Sequence, residues 1–380
     1  MWTTDSPQTV GLDADRWRTA MGLMRGWCES DAVPAAAVMM GRDGRMTEPL
    51  LCGRQRLAPD SPPVRQDAIF LVASITKPIV AAGVMLLVER GLVTLGDRVA
   101  EFLPEFGKHG KQGITLRHLL THTSGLPDML PNNQELRAAH APLSAFLEGI
   151  CDLKPDFPAG RGVQYQSMGF TVLGELIARI TGRSCAEFLK EELFGPLGMK
   201  DAALGAPAEW FEGPERTIDR VPEIRPPQTQ PEPTDWDWNS RYWRSLGAPW
   251  GGLLTTPADL ARFAAMLLDG GRWQGRPLLS RASIQAATRN QLETMRGVPA
   301  DDRRCRPWGL GWRLNWPAHS DNFGDLLGER TFGHWGATGT LMWIDPDARA
   351  FAVLLTTQPQ EPRGRFLARL SNALAAALRH

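Results

Sequence analysis

Ser74 and Lys77 form a Ser-x-x-Lys pattern that suggests covalent catalysis. They lie in the stretch 70–80, which continues into an apolar run over 81–88. If residues 74–88 form a helix, the two side chains lie one turn apart on the same face. A serine hydroxyl becomes a good nucleophile when a neighbour accepts its proton, and a lysine whose pKa is lowered by burial can do this. The alternative interpretation of this stretch alone is a capping serine followed by a surface lysine.

Two rare residue types add information to this pattern. Only six of the 42 basic residues are lysines, so the chain uses arginine almost wherever a surface cation is sufficient. A lysine at position 77 is then less easily explained as a surface charge with no specific role. The chain also has only two tyrosines, Tyr165 and Tyr242, so a tyrosine inside a motif carries more weight than usual.

Composition indicates a globular protein with room for a large core. The chain has 380 residues, of which 43% are apolar and 22% charged. Basic and acidic residues balance at 42 each, so we expect neither a nucleic-acid partner nor a membrane partner. The expected partner is a small-molecule ester or amide substrate, and composition does not predict the oligomeric state.

Cysteine usage and the N-terminal residues suggest a cytoplasmic protein. The five cysteines are odd in number and never form a Cys-x-x-Cys pair, which favours reduced thiols over a disulfide framework or a zinc site. The first residues show neither a basic start nor an apolar core of a signal peptide, although a periplasmic location remains open if a leader has been removed. We predict no metal and no cofactor.

Periodicity places strands near both ends of the chain and helices between them. We predict a helix over 12–29 capped by Asp13, and strands over 34–40 and 46–52. Later predicted elements are strands over 307–316, 331–335, 339–345 and 349–357 and a final helix over about 362–378. The predicted fold class is α/β of the α+β type: an antiparallel sheet flanked by N- and C-terminal helices, with an inserted all-helical domain.

This pattern divides the chain into two units. Residues 1–75 and 251–380 are predicted to form a discontinuous α/β domain, and residues 76–250 a helical domain. Within the latter, 205–250 is rich in proline and then in aromatic residues, which we interpret as a long ordered loop over a pocket. A cleft between the two units is the expected place for a substrate.

Two further stretches complete a recognisable set. Residues 157–170 form a polar loop that contains Tyr165 ahead of a helix, and residues 332–340 form a glycine-rich strand end, Phe-Gly-His-Trp-Gly-Ala-Thr-Gly-Thr. In this order, with Ser74-x-x-Lys77, they resemble the serine β-lactamase and penicillin-binding-protein superfamily. Within it, they resemble the class C β-lactamase-like branch, which includes family VIII carboxylesterases. The resemblance covers about residues 10–360 and implies a β-lactamase/transpeptidase-like fold.

The resemblance implies roles for individual residues. Ser74 matches the nucleophile, and Lys77 the group that accepts its proton. Tyr165 matches the tyrosine of the family's Tyr-x-Asn motif, which shares or relays the proton; a phenol beside an ammonium is expected to ionise more easily. The backbone N–H groups of Ser74 and Ala337 match the oxyanion hole.

The resemblance implies four substrate-binding positions: Ser167, His334, Trp335 and Gly336, with His334-Trp335-Gly336 in the place of Lys-Thr-Gly. Two of these residues depart from the family pattern. Ser167 stands where the family has asparagine, and His334 replaces a permanent cation, which weakens attraction for a substrate carboxylate. Together with apolar walls expected from Trp335 and the aromatic loop, this favours neutral esters over β-lactams.

We therefore predict a serine hydrolase that forms an acyl-enzyme at Ser74, with carboxylesterase activity on small to medium acyl esters. Alternative enzymes are a D-amino-acid peptidase or amidase, a weak β-lactamase and an acyltransferase. The non-enzymatic alternative is a protein that binds acyl or peptidoglycan-like ligands. His118 and His122 have a spacing that suits a metal, but no third ligand accompanies them, so we interpret them as structural.

Overall fold

A large, mostly antiparallel sheet is built from strands near both ends of the chain. The computed structural model describes residues 1–315, 323–360 and 365–379. The strands are β1 Thr3–Thr4, β2 Ala35–Arg42, β3 Arg45–Met46, β4 Leu50–Gly53, β5 Phe70–Leu71, β6 Ala203–Leu204, β7 Leu253–Thr255, β8 Arg272–Trp273, β9 Arg276–Pro277, β10 Arg313–Leu314, β11 Phe332–Gly336, β12 Thr340–Asp345 and β13 Ala350–Thr356. The strand order in the large sheet is β1-β3-β2-β13-β12-β11-β10, and β4 also pairs with β2.

Helices cover both faces of this sheet and fill the middle of the chain. They are α1 Ala14–Glu29, α2 Thr76–Glu89, α3 Val99–Phe102, α4 Leu116–Leu120, α5 Asn133–Ala138, α6 Leu143–Asp152, α7 Met168–Thr181, α8 Cys185–Leu189, α9 Gly195–Leu197, α10 Arg241–Leu246, α11 Pro257–Leu268, α12 Arg281–Ala287, α13 Ala300–Cys305 and α14 Arg365–Ala377. No described helix is both long and apolar enough to span a bilayer.

The two faces of the sheet belong to two separate hydrophobic clusters. Successive side chains of a strand point to opposite faces. In β2, Ala35, Ala37 and Met39 join the cluster that contains the helices of the chain's middle. The intervening residues, such as Val38 and Met40, join the cluster that contains α1 and α14. The face toward the central helices is the one that carries the candidate active site.

The predicted fold class is confirmed, and local signals located several elements correctly. The side chain of Asp13 accepts hydrogen bonds from the N–H groups of Asp15 and Arg16, which caps α1 as expected. The predicted strand over 307–316 is wrong for most of its length, because only Arg313–Leu314 is a strand and residue 316 lies outside the described residues. The last helix begins at Arg365 in the structure, and residues 362–364 are outside the described part.

A small second sheet connects the central helices to the large sheet. In this sheet β7 lies between β5 and β6. Phe70 pairs with Thr255, and Leu71 with Leu254, so β5 is fixed immediately before Ser74. The nucleophile candidate therefore follows a buried strand rather than a free loop.

Candidate active site

Ser74 lies in a tight turn between β5 and α2. The residues Ala73–Ile75 form a 3₁₀ turn that runs directly into the helix. Ala73 has a φ of 46°, a conformation that is unusual for a residue with a side chain. The hydroxyl of Thr76 holds this turn, because it donates to the Ala73 carbonyl at 2.6 Å and accepts the Leu253 N–H at 3.0 Å. The turn is thereby fixed to the small sheet.

Strand β11 passes very close to the same turn. A Cβ atom on Gly336 would lie 2.2 Å from the Val72 carbonyl oxygen, so only glycine fits there. Two hydroxyls then anchor the turn to the sheet: Thr338 donates to the Leu71 carbonyl at 2.8 Å and Thr340 to the Val72 carbonyl at 2.9 Å. Gly336, predicted to bind substrate, is located where it permits this approach.

Lys77 is fully buried and points at the Ser74 hydroxyl. Its Nζ atom lies 2.9 Å from Ser74 Oγ and 2.8 Å from the Trp250 carbonyl oxygen. Burial lowers the pKa of Lys77 to about 7, although the Asp128 carboxylate acts in the opposite direction. A substantial fraction of this amine is therefore neutral near pH 7, which a proton acceptor requires.

Tyr165 adjoins both of these residues. Lys77 Nζ lies 4.9 Å from the centre of its ring, and the phenol hydrogen-bonds with Ser74. Burial raises the pKa of Tyr165 above its ordinary value, and the hydrogen bond with Ser74 only partly offsets this. The expectation of easier ionisation is thus corrected: desolvation dominates, and the group stays a phenol that can donate a proton.

Ser167 faces a carboxylate that sequence analysis did not identify. Its hydroxyl donates to Asp128 Oδ1 at 2.7 Å, and its backbone N–H donates to the Asp128 carbonyl at 3.2 Å. Ser167 is buried, whereas Asp128 is exposed. The serine that stands in the place of the family's asparagine therefore holds an acidic side chain at the surface of the site.

His334 and Trp335 lie on opposite faces of β11. His334 is buried on the same face as Lys77, and burial, with a smaller contribution from Lys77, lowers its pKa to about 3. It is therefore neutral at physiological pH. The ring of Trp335 instead packs against Phe323 in the cluster of α1 and α14, with 5.8 Å between ring centres. That placement puts Trp335 away from the Lys77 face.

Ala337 follows the end of β11 and is exposed. Its carbonyl accepts the N–H of Gln360 at 2.9 Å, which fixes the orientation of the backbone after Gly336. Thr338, the next residue, is the one anchored to Leu71 next to the nucleophile turn. The structure thus brings Ser74, Lys77, Tyr165, His334 and the backbone around Ala337 to one place.

The aromatic segment is located differently from its expected position. Trp243 and Trp250 are buried in the core and meet edge to face, so their rings are not available as substrate walls. The Trp250 backbone does reach the site, because its carbonyl accepts a hydrogen bond from Lys77 Nζ at 2.8 Å. The segment does line a cavity of about 1080 Å³, but this cavity includes His140 and Tyr242 and not Ser74.

Besides Asp128, Trp308 and Arg313 lie near the site and were not predicted from the sequence, and His122, predicted to be structural, lies beside Tyr165. The ring of His122 lies 4.8 Å from Tyr165 and 4.1 Å from Trp308, and its Nε2 atom has no hydrogen-bond partner among the described residues. Arg313, in the strand next to β11, places its guanidinium 4.3 Å from the Trp335 ring centre. This cation also contributes to the lowered pKa of His334. Trp308 and Arg313 are single aromatic and charged residues outside any motif, so no signal in the sequence indicated them.

His118 and His122 contact the backbone in the structure. His118 Nδ1 accepts the N–H of Thr115 at 3.1 Å, and His122 Nδ1 accepts the N–H of Gln166 at 3.1 Å. Within the described ranges, no group of three or more His, Cys, Asp or Glu side chains is arranged to hold a metal ion.

Comparison with known proteins places the chain in a family. Residues 19–377 match the family profile described as Beta-lactamase. Penicillin-binding protein 4 of Amycolatopsis lactamdurans is 31% identical over 353 residues, which cover 91% of this chain and 85% of that protein. A penicillin-binding-protein homologue from Caulobacter crescentus superimposes with a TM-score of 0.80 at 24% identity, over 97% of this chain and 99% of that one.

A family VIII carboxylesterase also shares the fold. It superimposes with a TM-score of 0.77 at 23% identity and covers 97% of this chain and 99% of its own. At this identity the similarity shows the fold alone. The extent of the profile match, together with the 31% identity, shows that this chain belongs to the β-lactamase family of serine hydrolases.

Proposed function

We propose that the protein is a carboxylesterase that acts on small to medium acyl esters through an acyl-enzyme at Ser74. The observation that carries this proposal is the buried amine of Lys77, 2.9 Å from Ser74 Oγ and with a pKa lowered to about 7. A lysine in this state accepts the serine proton near neutral pH. Chemistry of this kind needs no metal and no cofactor.

The proposed first half-reaction transfers the acyl group to the protein. As Ser74 Oγ attacks the ester carbonyl carbon, its proton passes to Lys77. The N–H groups of Ser74 and Ala337 are assigned to the oxyanion, a contribution worth a few kcal/mol in comparable sites. Collapse of the tetrahedral intermediate breaks the carbon–oxygen bond, and the phenol of Tyr165 protonates the departing alkoxide, with Lys77 restoring the phenol proton.

The second half-reaction releases the acid. Water gives a proton to the same base, attacks the acyl carbon and expels Ser74 Oγ, which recovers its proton. Because Lys77 and Tyr165 share protons with one hydroxyl, their titrations are coupled and the pH profile reports the pair. If an alcohol replaces water, the same steps give acyl transfer.

Neutral esters are favoured over β-lactams because His334 carries no charge. With a pKa lowered to about 3, it provides no cation for a substrate carboxylate. The nearby cation is Arg313, which is buried and packed against Trp308 and Trp335. A D-amino-acid peptidase or a weak β-lactamase is the second candidate, favoured by Arg313 and by similarity to a protein named penicillin-binding protein 4.

Hydrolysis of p-nitrophenyl butyrate by the wild type and by Ser74→Ala tests the proposal. We expect turnover in the wild type and loss of at least about 10³-fold in the variant. Ser124→Ala, which removes another buried serine hydroxyl, is the matched control and is expected to retain turnover. Cephalosporin turnover without comparable ester turnover would favour the second candidate, and no turnover of any substrate would favour a ligand-binding protein.

A further inference from the structure

Asp128 presents an unpaired carboxylate at the edge of the candidate site. Its Oδ1 atom accepts the Ser167 hydroxyl, whereas its Oδ2 atom accepts no hydrogen bond from a described residue. Among the described residues no Lys, Arg or His forms an ion pair with it. Asp156, an exposed carboxylate on a neighbouring loop, differs in that it binds the Gln164 amide at 2.8 Å.

The field of Asp128 reaches the reacting groups. Its charge raises the pKa of both Lys77 and Tyr165, so the carboxylate is electrostatically close to the atoms that flank Ser74 Oγ. Arg313, in β10, acts in the opposite sense, because its charge lowers the pKa of His334 and of Tyr165. The site is therefore influenced both by a carboxylate beside Ser167 and by a guanidinium in β10.

We propose that Asp128 selects substrates that carry a cationic ammonium group near the scissile ester or amide. An exposed carboxylate held in place by Ser167 attracts a cation and repels a substrate carboxylate. The neutral His334 offers no compensating attraction for an anion. The inference rests on the proposed function, and it assigns that function a substrate class that the fold does not specify.

Two isosteric pairs of esters test the assignment. The first pair is the p-nitrophenyl ester of γ-trimethylammoniobutyrate and its neutral analogue with carbon in place of the quaternary nitrogen. The second pair is butyrylcholine, an ester that carries the positive charge in its alcohol part, and its neutral analogue with carbon in place of the quaternary nitrogen. For each pair, the ratio of kcat/KM between the charged and neutral members is measured in the wild type, Asp128→Asn and Asp156→Asn.

We expect the wild type to favour the cationic member of at least one pair, and Asp128→Asn to lower that ratio by about 10-fold. Asp156→Asn should leave the ratio as in the wild type. Because both members of a pair use the same proton acceptor, a general effect of Asp128 on Lys77 cancels in the ratio. A ratio that is the same in Asp128→Asn and the wild type for both pairs overturns the assignment. Turnover of none of the four esters would instead contradict the proposed function.

A separate observation concerns Cys28 and Cys52. Their Sγ atoms lie 2.8 Å apart, although Cys28 lies in the last turn of α1 and Cys52 belongs to β4. Both thiols are half-buried, so small oxidants can reach them. The contact joins the N-terminal helix to the edge of the large sheet.

We infer that Cys28 and Cys52 form a disulfide by exchange with a small-molecule disulfide such as oxidised glutathione. One thiolate attacks the glutathione disulfide and releases one glutathione, and the second thiolate then attacks the mixed disulfide and releases another. Two protein thiols are oxidised while one glutathione disulfide is reduced to two thiols. The bridge closes a short loop, which stabilises the fold chiefly by restricting the unfolded chain.

Peptide mapping of the full chain after incubation with oxidised glutathione tests this bridge. We expect a linked peptide containing both cysteines, a midpoint of thermal unfolding raised by a few degrees, and reversal of both by dithiothreitol. The Cys52→Ser variant should show neither change, whereas Cys185→Ser should show both. Recovery of Cys28 and Cys52 as free thiols or as stable glutathione adducts would contradict the inference.

Discussion

Two lysines, Lys77 and Lys111, are completely buried in this protein, and they differ in their partners. Lys77 Nζ contacts a hydroxyl oxygen and one backbone carbonyl. Lys111 Nζ instead donates to two backbone carbonyls, those of Cys151 and Leu153. Burial lowers the pKa of both amines. Burial alone therefore does not make a lysine a base: of these two, only Lys77 has a partner that can give up a proton.

The largest expected loss of activity distinguishes Lys77 from Lys111. Lys77→Met should lower kcat/KM for p-nitrophenyl butyrate by about 10³-fold, because it removes the proton acceptor. Lys111→Met should retain ester turnover but lower stability by about 1–3 kcal/mol, because it leaves buried carbonyls without a donor. Kinetics and thermal unfolding of both variants check this. Equal loss of activity in the two variants would remove the distinction.

The two tyrosines extend the same comparison with a smaller effect. Tyr165→Phe should lower kcat by about 10²-fold, because a general acid is lost beside Lys77. Tyr242 donates to the Ala141 carbonyl at 2.8 Å and stacks on His140, so Tyr242→Phe should change kcat little. Steady-state kinetics on one ester measure both variants. If Tyr165→Phe retains full activity, Tyr165 is only a packing residue.

The close approach of β11 to the Ser74 turn predicts a further contrast. In Gly336→Ala the new Cβ would meet the Val72 carbonyl, so we expect about 10-fold lower activity together with lower stability. Gly22→Ala is the matched control, since nothing lies within 4 Å of the added atom in α1. This control should be neutral or stabilising by up to about 1 kcal/mol. Wild-type behaviour of Gly336→Ala would contradict the close approach.

The smallest effect is a shift of the pH profile. Lys77 must be neutral to accept a proton, so activity should rise as pH increases through about 7 and level off above it. Asp128 raises the pKa of Lys77, so Asp128→Asn should move the midpoint to lower pH. Profiles of kcat/KM for a neutral ester measure both midpoints. A midpoint that moves to higher pH in Asp128→Asn would contradict the conclusion that Asp128 raises the pKa of Lys77.

The sequence predicted that Ser74, Lys77 and Tyr165 lie together, and the structure places these three side chains next to one another. Their catalytic roles stay predictions. Lysine and tyrosine are so scarce that Lys77 and Tyr165 were conspicuous, and Ser74 was identified by its spacing from Lys77. Local capping signals such as Asp13 also sufficed, because they act within one turn. The antiparallel sheet followed from strands at both ends of the chain.

Contacts between distant segments were not predictable in the same way. Asp128 approaches Ser167 across 39 residues, and nothing in either segment encodes that pairing. The lowered tendency of Tyr165 to ionise depends on how deeply it is buried, which a motif does not specify. The aromatic segment has no periodicity, so sequence could not indicate that Trp243 and Trp250 enter the core. These contacts were therefore visible only in the structure.

Rapid acid quenching of a p-nitrophenyl butyrate reaction, followed by intact mass and peptide mapping, tests whether Ser74 carries the acyl group. We expect one butyryl group per chain, located on Ser74, with no adduct in Ser74→Ala. Lys77→Met should accumulate the adduct far more slowly than Lys111→Met, because only Lys77 activates the hydroxyl. A butyryl group on another residue, or undiminished turnover by Ser74→Ala, would contradict the account.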